Sequence, residues 1–258
     1  MSDTDVSHRT VLITGAGRRI GRALAEALGA AGWTVAVHCH GSSAEADAVV
    51  GAIVRAGGEA QAFHAELADP AEVAGLIPAV TAALGPLGAL INNASIFERD
   101  EIDTATVASW DSHIAINLRA PFFLSQAFAA QVTASDQGAI VNMVDERVWH
   151  LTPHFMSYSV SKAGLWTLTQ TMAMALAPRI RVNAIGPGPT LPSPRQSQAQ
   201  FDAHSRTMPL GRGTTPREIC AAALFILAAP AMTGQMIALD GGQHLGWGPV
   251  PAGTAPTD

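Results

Sequence analysis

The 258-residue sequence is poor in several residue types on which whole classes of protein depend. Its two cysteines, Cys39 and Cys220, lie far apart without metal-type spacing, so the sequence indicates neither a disulfide framework nor a zinc site. Its 15 lysines and arginines are scattered, and the net charge is −6. We therefore do not expect nucleic acid as a partner.

Long apolar runs are also lacking, so no segment is expected to span a bilayer. Residues Met1 to His8 are polar and acidic, whereas a secretion signal needs positive charge followed by an apolar run. We therefore expect a cytoplasmic protein that does not contact membranes. With 48% hydrophobic residues, the chain can bury a large core within one domain.

What the sequence does contain is a regular alternation of short β-rich runs and longer helical stretches rich in Ala and Leu. This alternation predicts an α/β fold, namely a single-domain, Rossmann-type, doubly wound parallel sheet of about seven strands with helices on both faces. Ligands then belong at the carboxyl ends of the strands. The candidate strands are Thr10–Thr14, Thr34–Cys39, Ala60–Ala65, Ala89–Asn92, Ala139–Val144, Ile180–Ile185 and Met236–Leu239.

We interpret residues 1–258 as one domain, because composition does not shift along the chain. Residues 186–216 are rich in Pro, Ser, Thr and Gln, as a linker would be, but only one helix and one strand follow them. A mobile lid over the substrate site fits this segment better. The tail 246–258 is dense in Pro and Gly, and we expect it to be flexible.

The sequence has one tyrosine and one lysine, Tyr158 and Lys162, four positions apart in a segment with helical apolar spacing. This spacing places both side chains on one helix face. An ammonium ~4 Å from a phenol stabilises the phenolate by roughly 4 kcal/mol at an effective dielectric of about 20, or about three pKa units. We therefore expect Lys162 to bring the pKa of Tyr158 toward neutrality. The alternative is an ordinary surface pair on a helix.

The first candidate strand runs into a glycine-rich turn at residues 14–21 and then into a helix that we expect to begin near Arg22. Backbone N–H groups at such a turn, beneath a helix N-terminus, form an anion site. Because the turn follows the first strand, it indicates a dinucleotide site.

The second candidate strand indicates which dinucleotide binds. No carboxylate follows it before Glu45, so the usual partner of the ribose 2′-hydroxyl of NAD is absent from this position. Arg18, His40 and Ser42 could instead bind a 2′-phosphate through charge-assisted hydrogen bonds. This favours NADPH/NADP over NAD, and the alternative is that the three are ordinary polar loop residues.

Taken together, the motifs resemble those of the short-chain dehydrogenase/reductase family over roughly residues 9 to 245. The resemblance implies that Tyr158 donates a proton and that Lys162 binds the nicotinamide ribose and lowers the tyrosine pKa. It also implies that Asn117 supports a water relay to that lysine, and that the protein forms a homotetramer or a dimer. The matching motifs are the Thr-Gly loop, Asn92-Asn93-Ala94-Ser95, Tyr158-x-x-x-Lys162 and Gly186-Pro187-Gly188.

Two departures from the usual family pattern narrow the resemblance. Asp145 stands thirteen residues before the tyrosine, where the family usually has serine, and Arg19 stands where it usually has glycine. With Phe97 and the stretch Asn142-Met143-Val144-Asp145, these residues resemble the pteridine reductase branch and bacterial dihydromonapterin reductases. That resemblance implies that Arg19 and Phe97 position a flat pterin ring against the nicotinamide, while Asp145 and Tyr158 deliver the proton.

The same resemblance assigns the remaining contacts, with Glu66 near the adenine where aspartate is more usual. For the cofactor they are Gly15, Arg18, Arg19, Ile20, His38, His40, Ser42, Glu66, Leu67, Asn93, Ala94, Ser95, Met143, Tyr158, Lys162, Pro187, Gly188 and Thr190. For the substrate they are Arg19, Ser95, Phe97, Asp145, Tyr158, Pro189 and Leu191.

Asp145 bears on the kind of bond that is reduced. Ketone reduction builds negative charge on oxygen, which an ionised carboxylate beside it would repel. Reduction of a C=N bond instead requires a proton at nitrogen, which a carboxyl group can deliver. We expect burial under a stacked ring to raise the pKa of Asp145. The alternatives are that Asp145 caps a loop and that Phe97 belongs to the core.

Three hypotheses follow from these residues. The first is an NADPH-dependent reductase of dihydropterins or dihydrofolate that uses Asp145 and Tyr158 as proton donors. The second is an NADPH-dependent carbonyl or imine reductase of another small molecule. The third is a regulatory protein that senses NADP without turnover, although four residues suited to catalysis (Asn117, Asp145, Tyr158 and Lys162) argue against it.

Overall fold

The computed structural model describes residues 6–41, 43–193 and 195–246. Ser42, which the sequence predicts to bind the cofactor phosphate, lies outside the described residues, as does the predicted flexible tail beyond Gly246. Within the described ranges, none of the helices is both long and apolar enough to cross a bilayer.

Seven parallel strands form one sheet in the order β3-β2-β1-β4-β5-β6-β7. Both the fold class and the approximate number of strands are therefore confirmed. Each predicted strand begins and ends within two residues of an observed one, and β6 continues furthest beyond its predicted end. The strands are β1 (Thr10–Ile13), β2 (Thr34–Cys39), β3 (Glu59–His64), β4 (Ala89–Asn92), β5 (Gly138–Met143), β6 (Ile180–Pro187) and β7 (Met236–Leu239).

Helices fill the intervals and cover both faces of the sheet. They are α1 (Arg19–Ala30), α2 (Ser43–Arg55), α3 (Pro70–Leu84), α4 (Val107–Ile114), α5 (Ala120–Gln131), α6 (Met156–Leu176), α7 (Gln198–Ser205) and α8 (Pro216–Leu227). A π-helical turn at Ala115–Arg119 joins α4 to α5, and short 3-10 turns lie at Glu146–Val148 and Gln243–Leu245.

The buried strand β1 shows how the two faces are covered. Val11 and Ile13 point to one face and pack with side chains of α1, α2 and α8, whereas Leu12 points to the other and packs with those of α3, α5 and α6. Two hydrophobic cores therefore lie on opposite sides of the sheet, as expected for parallel strands buried on both faces.

The strand order reverses between β1 and β4, and a crevice opens there at the carboxyl ends of the strands. One hydroxyl ties the two strand ends together, because Thr14 Oγ1 accepts hydrogen bonds from the backbone N–H groups of Asn93 and Ala94, each at 2.9 Å. The topology thus places the ligand crevice where the glycine-rich turn follows β1.

Residues 186–216, predicted to form a lid, contain more regular structure than their composition suggests. Strand β6 continues through the first two of them, and the eight-residue helix α7 lies within the segment. A capping box starts this helix, since Ser197 Oγ accepts from the N–H of Gln200 and Gln200 Oε1 accepts from the N–H of Ser197.

The first turn of α6, which carries Tyr158, is held by a remote carboxylate. The N-cap residue, Phe155, has a left-handed backbone (φ 58°) and no capping side chain. Asp100 substitutes for it, because its Oδ1 accepts from the N–H of Ser157 at 3.1 Å and its backbone oxygen accepts from the N–H of Phe155 at 2.8 Å. Ser157 Oγ bridges the Asp100 carboxylate to Nδ1 of buried His113.

We predict that Asp100→Ala lowers the free energy of unfolding by about 2–4 kcal/mol, because buried donors at the start of α6 lose their acceptor. Urea unfolding of the variant and of Asp103→Ala, an exposed aspartate three residues further along, measures the difference. The control should change by less than about 0.5 kcal/mol. Equal effects of the two substitutions would show that Asp100 does not hold this helix start.

Candidate active site

A cavity of about 1160 Å³ opens at the carboxyl ends of the central strands. It brings together the predicted site residues from the turn after β1 to the segment after β6. Among the described residues predicted for the site, all but Asn117 line this cavity. Among all the residues that the structure describes, no three His, Cys, Asp or Glu side chains come together as a metal site would require.

The glycine-rich turn lies directly beneath helix α1, which begins at Arg19, three residues before the predicted start at Arg22. Gly15 has a positive φ of 63°, and a Cβ on Gly21 would come within 2.1 Å of the Gly15 oxygen. Both glycines therefore let the turn pass close under the helix. Residues at the start of α1 line the cavity, and the unpaired N–H groups of a helix start suit the pyrophosphate of a dinucleotide.

The side chain of His38, at the end of β2, binds the backbone of this turn. Its Nδ1 accepts from the N–H of Gly15 at 3.0 Å, and its Nε2 lies 3.0 Å from the oxygen of Ala65. Burial lowers the pKa of His38, so the ring stays neutral with one nitrogen accepting and the other donating. The side chain thus supports the predicted phosphate site through the backbone and leaves neither ring nitrogen free for a ligand.

The end of the cavity next to β2 is lined by basic and acidic side chains together. Arg18 is exposed there, and Nδ1 of His40 lies 2.9 Å from Glu66 Oε2. Glu66 Oε1 also accepts from the N–H of Ala68 at 2.8 Å, and Glu45 lines the same region. Of the three residues predicted to bind a 2′-phosphate, the two that the structure describes, Arg18 and His40, both line the cavity.

Asp145 and Tyr158 are in direct contact. Strand β5 ends two residues before Asp145, and the phenol of Tyr158 donates a hydrogen bond to Asp145 Oδ2 at 2.6 Å. Asp145 Oδ1 accepts from the N–H of Arg147 at 3.0 Å. Burial raises the pKa of Asp145 above its usual value, against the opposing effects of these hydrogen bonds. The predicted rise of this pKa is confirmed.

The expected effect of Lys162 on Tyr158 is wrong. Burial and the adjacent Asp145 raise the pKa of Tyr158 well above its ordinary value. Lys162 Nζ lies 5.8 Å from the centre of the tyrosine ring and donates to the Met143 oxygen at 2.7 Å, while burial lowers its own pKa to about 8. Burial and a carboxyl group at 2.6 Å therefore outweigh the effect of a more distant ammonium on the tyrosine pKa.

Asn117 lies in the π-helical turn and ties two site elements together. Its Oδ1 accepts from the N–H of Ile96 at 2.9 Å, and its Nδ2 donates to the Ile96 oxygen at 3.0 Å and to Ser161 Oγ at 3.1 Å. Ser161 Oγ in turn donates to the Tyr158 oxygen at 2.7 Å. The amide thus joins the loop after β4 to helix α6, and its part in a water relay stays a prediction.

Phe97 belongs to the cavity wall and not to a core. It is half-buried, it lines the cavity, and its ring meets the ring of Tyr158 edge-on with 4.7 Å between centroids. The ring of Phe155 stacks on it at 4.3 Å with an interplanar angle of 8°. The sequence analysis missed Phe155, although an aromatic three residues before the tyrosine could have indicated it.

Arg19 occupies a backbone conformation that usually requires glycine. Its φ is 53°, which costs of the order of 1–3 kcal/mol for a residue with a Cβ. Its guanidinium donates to the oxygens of Pro192 at 2.9 Å and Leu191 at 3.3 Å. Arg195 ties the same segment to the opposite wall, donating to the Phe97 oxygen at 2.6 Å and to Glu98 Oε2 at 2.7 Å. The predicted lid segment is thus tied to the start of α1 through residues 191 and 192 and to the loop after β4 through Arg195.

Several charged residues of the cavity wall were also missed, among them Arg147, Arg195 and Glu146. The first of these follows Asp145 by two positions, so a charged run directly after a central strand was an available signal. Glu146 is 2% exposed, and burial raises its pKa to about 8, which makes it largely uncharged at neutral pH. The segment after β6 carries Arg195 to the wall, which only the tertiary structure reveals.

Comparisons with known proteins agree with this architecture. A family model described as enoyl-(acyl carrier protein) reductase matches residues 15–244. The 3-oxoacyl-(acyl-carrier-protein) reductase of Synechocystis sp. is 33% identical over 242 residues, covering 93% of this chain and 98% of the relative.

Solved structures match over nearly the whole chain. The crystal structure of FolM alternative dihydrofolate reductase 1 from Brucella canis, complexed with NADP, has a TM-score of 0.91 and 42% identity, covering 97% of this chain and 99% of that one. The corresponding Brucella suis structure with NADP has a TM-score of 0.89 and 43% identity, covering 92% and 96%. Since the family model spans most of the chain and the curated relative covers more than nine-tenths of it, this chain belongs to the short-chain dehydrogenase/reductase family.

Proposed function

We propose that this chain is an NADPH-dependent reductase of dihydropterins or dihydrofolate, in which Asp145 and Tyr158 deliver the proton. One observation carries the proposal, namely the 2.6 Å hydrogen bond between these two side chains inside the cavity. The half-buried Phe97 ring beside them supports a flat aromatic substrate, because aromatic rings stack favourably.

The cofactor assignment rests on the glycine-rich turn and on the charge of the adenosine end. A backbone that passes beneath the start of α1 suits a pyrophosphate, and Arg18 with His40 suits a 2′-phosphate. The Brucella neighbours, which are 42–43% identical to this chain, contain NADP. When bound, NADPH supplies the hydride.

The proton has a short path in this arrangement. The raised pKa of Asp145 increases the protonated fraction of this carboxyl at any given pH, and the pKa of Tyr158, well above its ordinary value, keeps the phenol protonated. Either group can therefore donate to a ring nitrogen as the adjacent carbon receives hydride. Lys162, anchored on the Met143 oxygen, supplies a cation beside the pair and can hold a ribose hydroxyl.

A second candidate is a ketone reductase, which the name of the Synechocystis relative favours. Asp145 argues against it, because its ionised form opposes the negative charge that develops on a ketone oxygen, whereas C=N reduction uses the protonated form as a donor. The Brucella neighbours named as dihydrofolate reductases also share more identity with this chain, at 42–43% against 33%. We further propose that the protein assembles as a homotetramer, and light scattering of the purified protein measures its oligomeric state. We also propose that the protein is cytoplasmic.

A substrate panel tests the proposed function. We expect the purified protein to oxidise NADPH, in preference to NADH, with dihydrobiopterin or dihydrofolate, and to show little activity with a panel of ketones. Absorbance at the nicotinamide band measures each rate. Activity confined to ketones would exclude the pterin assignment, and tight NADPH binding without any turnover would favour a sensing protein.

Removal of either proton donor tests the mechanism. We expect Tyr158→Phe and Asp145→Asn each to lower kcat for the dihydropterin by about 10²–10⁴, the usual contribution of one positioned acid. NADPH affinity, measured by fluorescence titration, serves as the folding control and should change little for Asp145→Asn. Full turnover by the phenylalanine variant would falsify the proposed proton path.

The pH dependence of the rate separates the titrating groups. Since the protonated carboxyl is the donor and burial raises its pKa, kcat/KM of the wild type should fall as pH rises through that pKa. In Asp145→Asn, the fall caused by the carboxyl should be absent, and the remaining fall should follow the deprotonation of Lys162, whose pKa drops below its wild-type value of about 8 once Asp145 no longer raises it. Profiles measured from pH 5 to pH 9 check this, and superimposable curves for the two proteins would contradict it.

A further inference from the structure

Two arginines that the proposed proton transfer does not use flank the aromatic wall of the cavity. The guanidinium carbon of Arg147 lies 5.1 Å from the ring centre of Phe155 and 5.7 Å from that of Phe97. The guanidinium carbon of Arg195 lies 5.7 Å from the ring centre of Phe97. Both arginines line the cavity at its substrate end. Two guanidinium groups, one from the loop after β5 and one from the segment after β6, therefore lie beside the stacked phenylalanine rings.

The carboxyl groups around Arg147 do not fully neutralise its positive charge, so the guanidinium can bind an additional anion. Its Nη1 donates to Thr152 Oγ1 at 3.2 Å, and its Nε lies 3.8 Å from Asp145 Oδ1. Burial raises the pKa of both Asp145 and Glu146, so the two carboxyls beside this guanidinium resist ionisation. A positive charge whose neighbouring carboxyls are harder to ionise is less neutralised by them, which favours the binding of an anionic ligand.

Arg195 has a carboxylate partner that a ligand can replace. Its Nη1 is 2.7 Å from Glu98 Oε2, but the two side chains are 44% and 67% exposed. An ion pair with this exposure contributes about 0–1 kcal/mol, so a ligand carboxylate can compete for the guanidinium. The second hydrogen bond of Arg195, to the Phe97 oxygen at 2.6 Å, would keep the side chain at the wall during the exchange.

We propose that Arg147 and Arg195 form a carboxylate-binding subsite, and that the substrate is a dihydropterin whose tail combines an aromatic linker with carboxylates, as in dihydrofolate. The inference rests on the proposed function and specifies its substrate. The pterin ring lies beside Phe97 and Tyr158, the aromatic linker lies along Phe155, and the tail carboxylates bind the two guanidiniums. Arginine suits this task, because its planar fork matches the geometry of a carboxylate.

Paired substrates isolate the tail. Dihydrofolate and dihydrobiopterin share the reducible ring, but only dihydrofolate carries the linker and the carboxylates. The informative quantity is the ratio of kcat/KM for dihydrofolate to kcat/KM for dihydrobiopterin, because effects on the shared chemistry cancel in it. This matters for Arg147, which contacts Asp145 and can alter the rate with both substrates.

We expect Arg195→Gln and Arg147→Gln each to lower this ratio about 10-fold or more, the equivalent of one charge-assisted hydrogen bond. The matched control is Arg206→Gln, which removes an exposed arginine from the same segment without altering the cavity wall, and its ratio should stay within about 2-fold of the wild type. For the wild type, added salt should lower kcat/KM with dihydrofolate more steeply than with dihydrobiopterin.

The outcomes separate the subsite from the function. If both substrates are reduced and the two cavity variants leave the ratio unchanged, the carboxylate subsite is wrong while the pterin reductase stands. A ratio that falls equally in the Arg206 control would assign the effect to overall charge and would also exclude the subsite. If the wild type binds NADPH but reduces neither substrate, the proposed function fails, and the subsite fails with it.

Discussion

The site depends on one partly buried hydrogen bond, the 2.6 Å contact between the phenol of Tyr158 and the carboxyl of Asp145. Asp145 comes from the carboxyl end of a central strand and Tyr158 from the first turn of α6, so the contact requires both elements in register. Each helical residue advances about 100° around the axis, and a one-residue slip at the start of α6 would turn the phenol away. The Asp100, Ser157 and His113 network therefore matters for chemistry as well as for stability.

The two ends of the cavity are built on different principles. At the cofactor end, recognition is mostly a property of the backbone, because glycines bring a helix N-terminus close to the turn and His38 holds that turn from below. At the substrate end, it is a property of side chains from distant segments, with Phe97, Phe155 and Arg147 packed together. Arg19 connects the two ends, since it starts α1 in a left-handed conformation and reaches across to residues 191 and 192.

The error about the tyrosine pKa has a simple physical origin. Helical spacing correctly placed Tyr158 and Lys162 one turn apart in α6, but spacing alone does not tell which charge lies nearest the phenol. Lys162 is directed to the Met143 oxygen, and the nearest ionisable group is the Asp145 carboxyl. Asp145 was identified as a site residue, yet its hydrogen bond to the phenol could not be inferred, because the loop geometry after β5 depends on packing against α6.

The sequence alone determined the α/β sheet, the position of each strand within two residues, the glycine-rich turn and many of the residues that converge on one cavity. These features follow from local periodicity and from the rule that parallel strands present their carboxyl ends at one edge. Only the tertiary structure decided that Asp145 holds the phenol, that Phe155 stacks on Phe97 and that Arg147 and Arg195 flank this pair. Those contacts join residues from separate segments, and their distances and burial arise only when the helices and loops pack around the sheet.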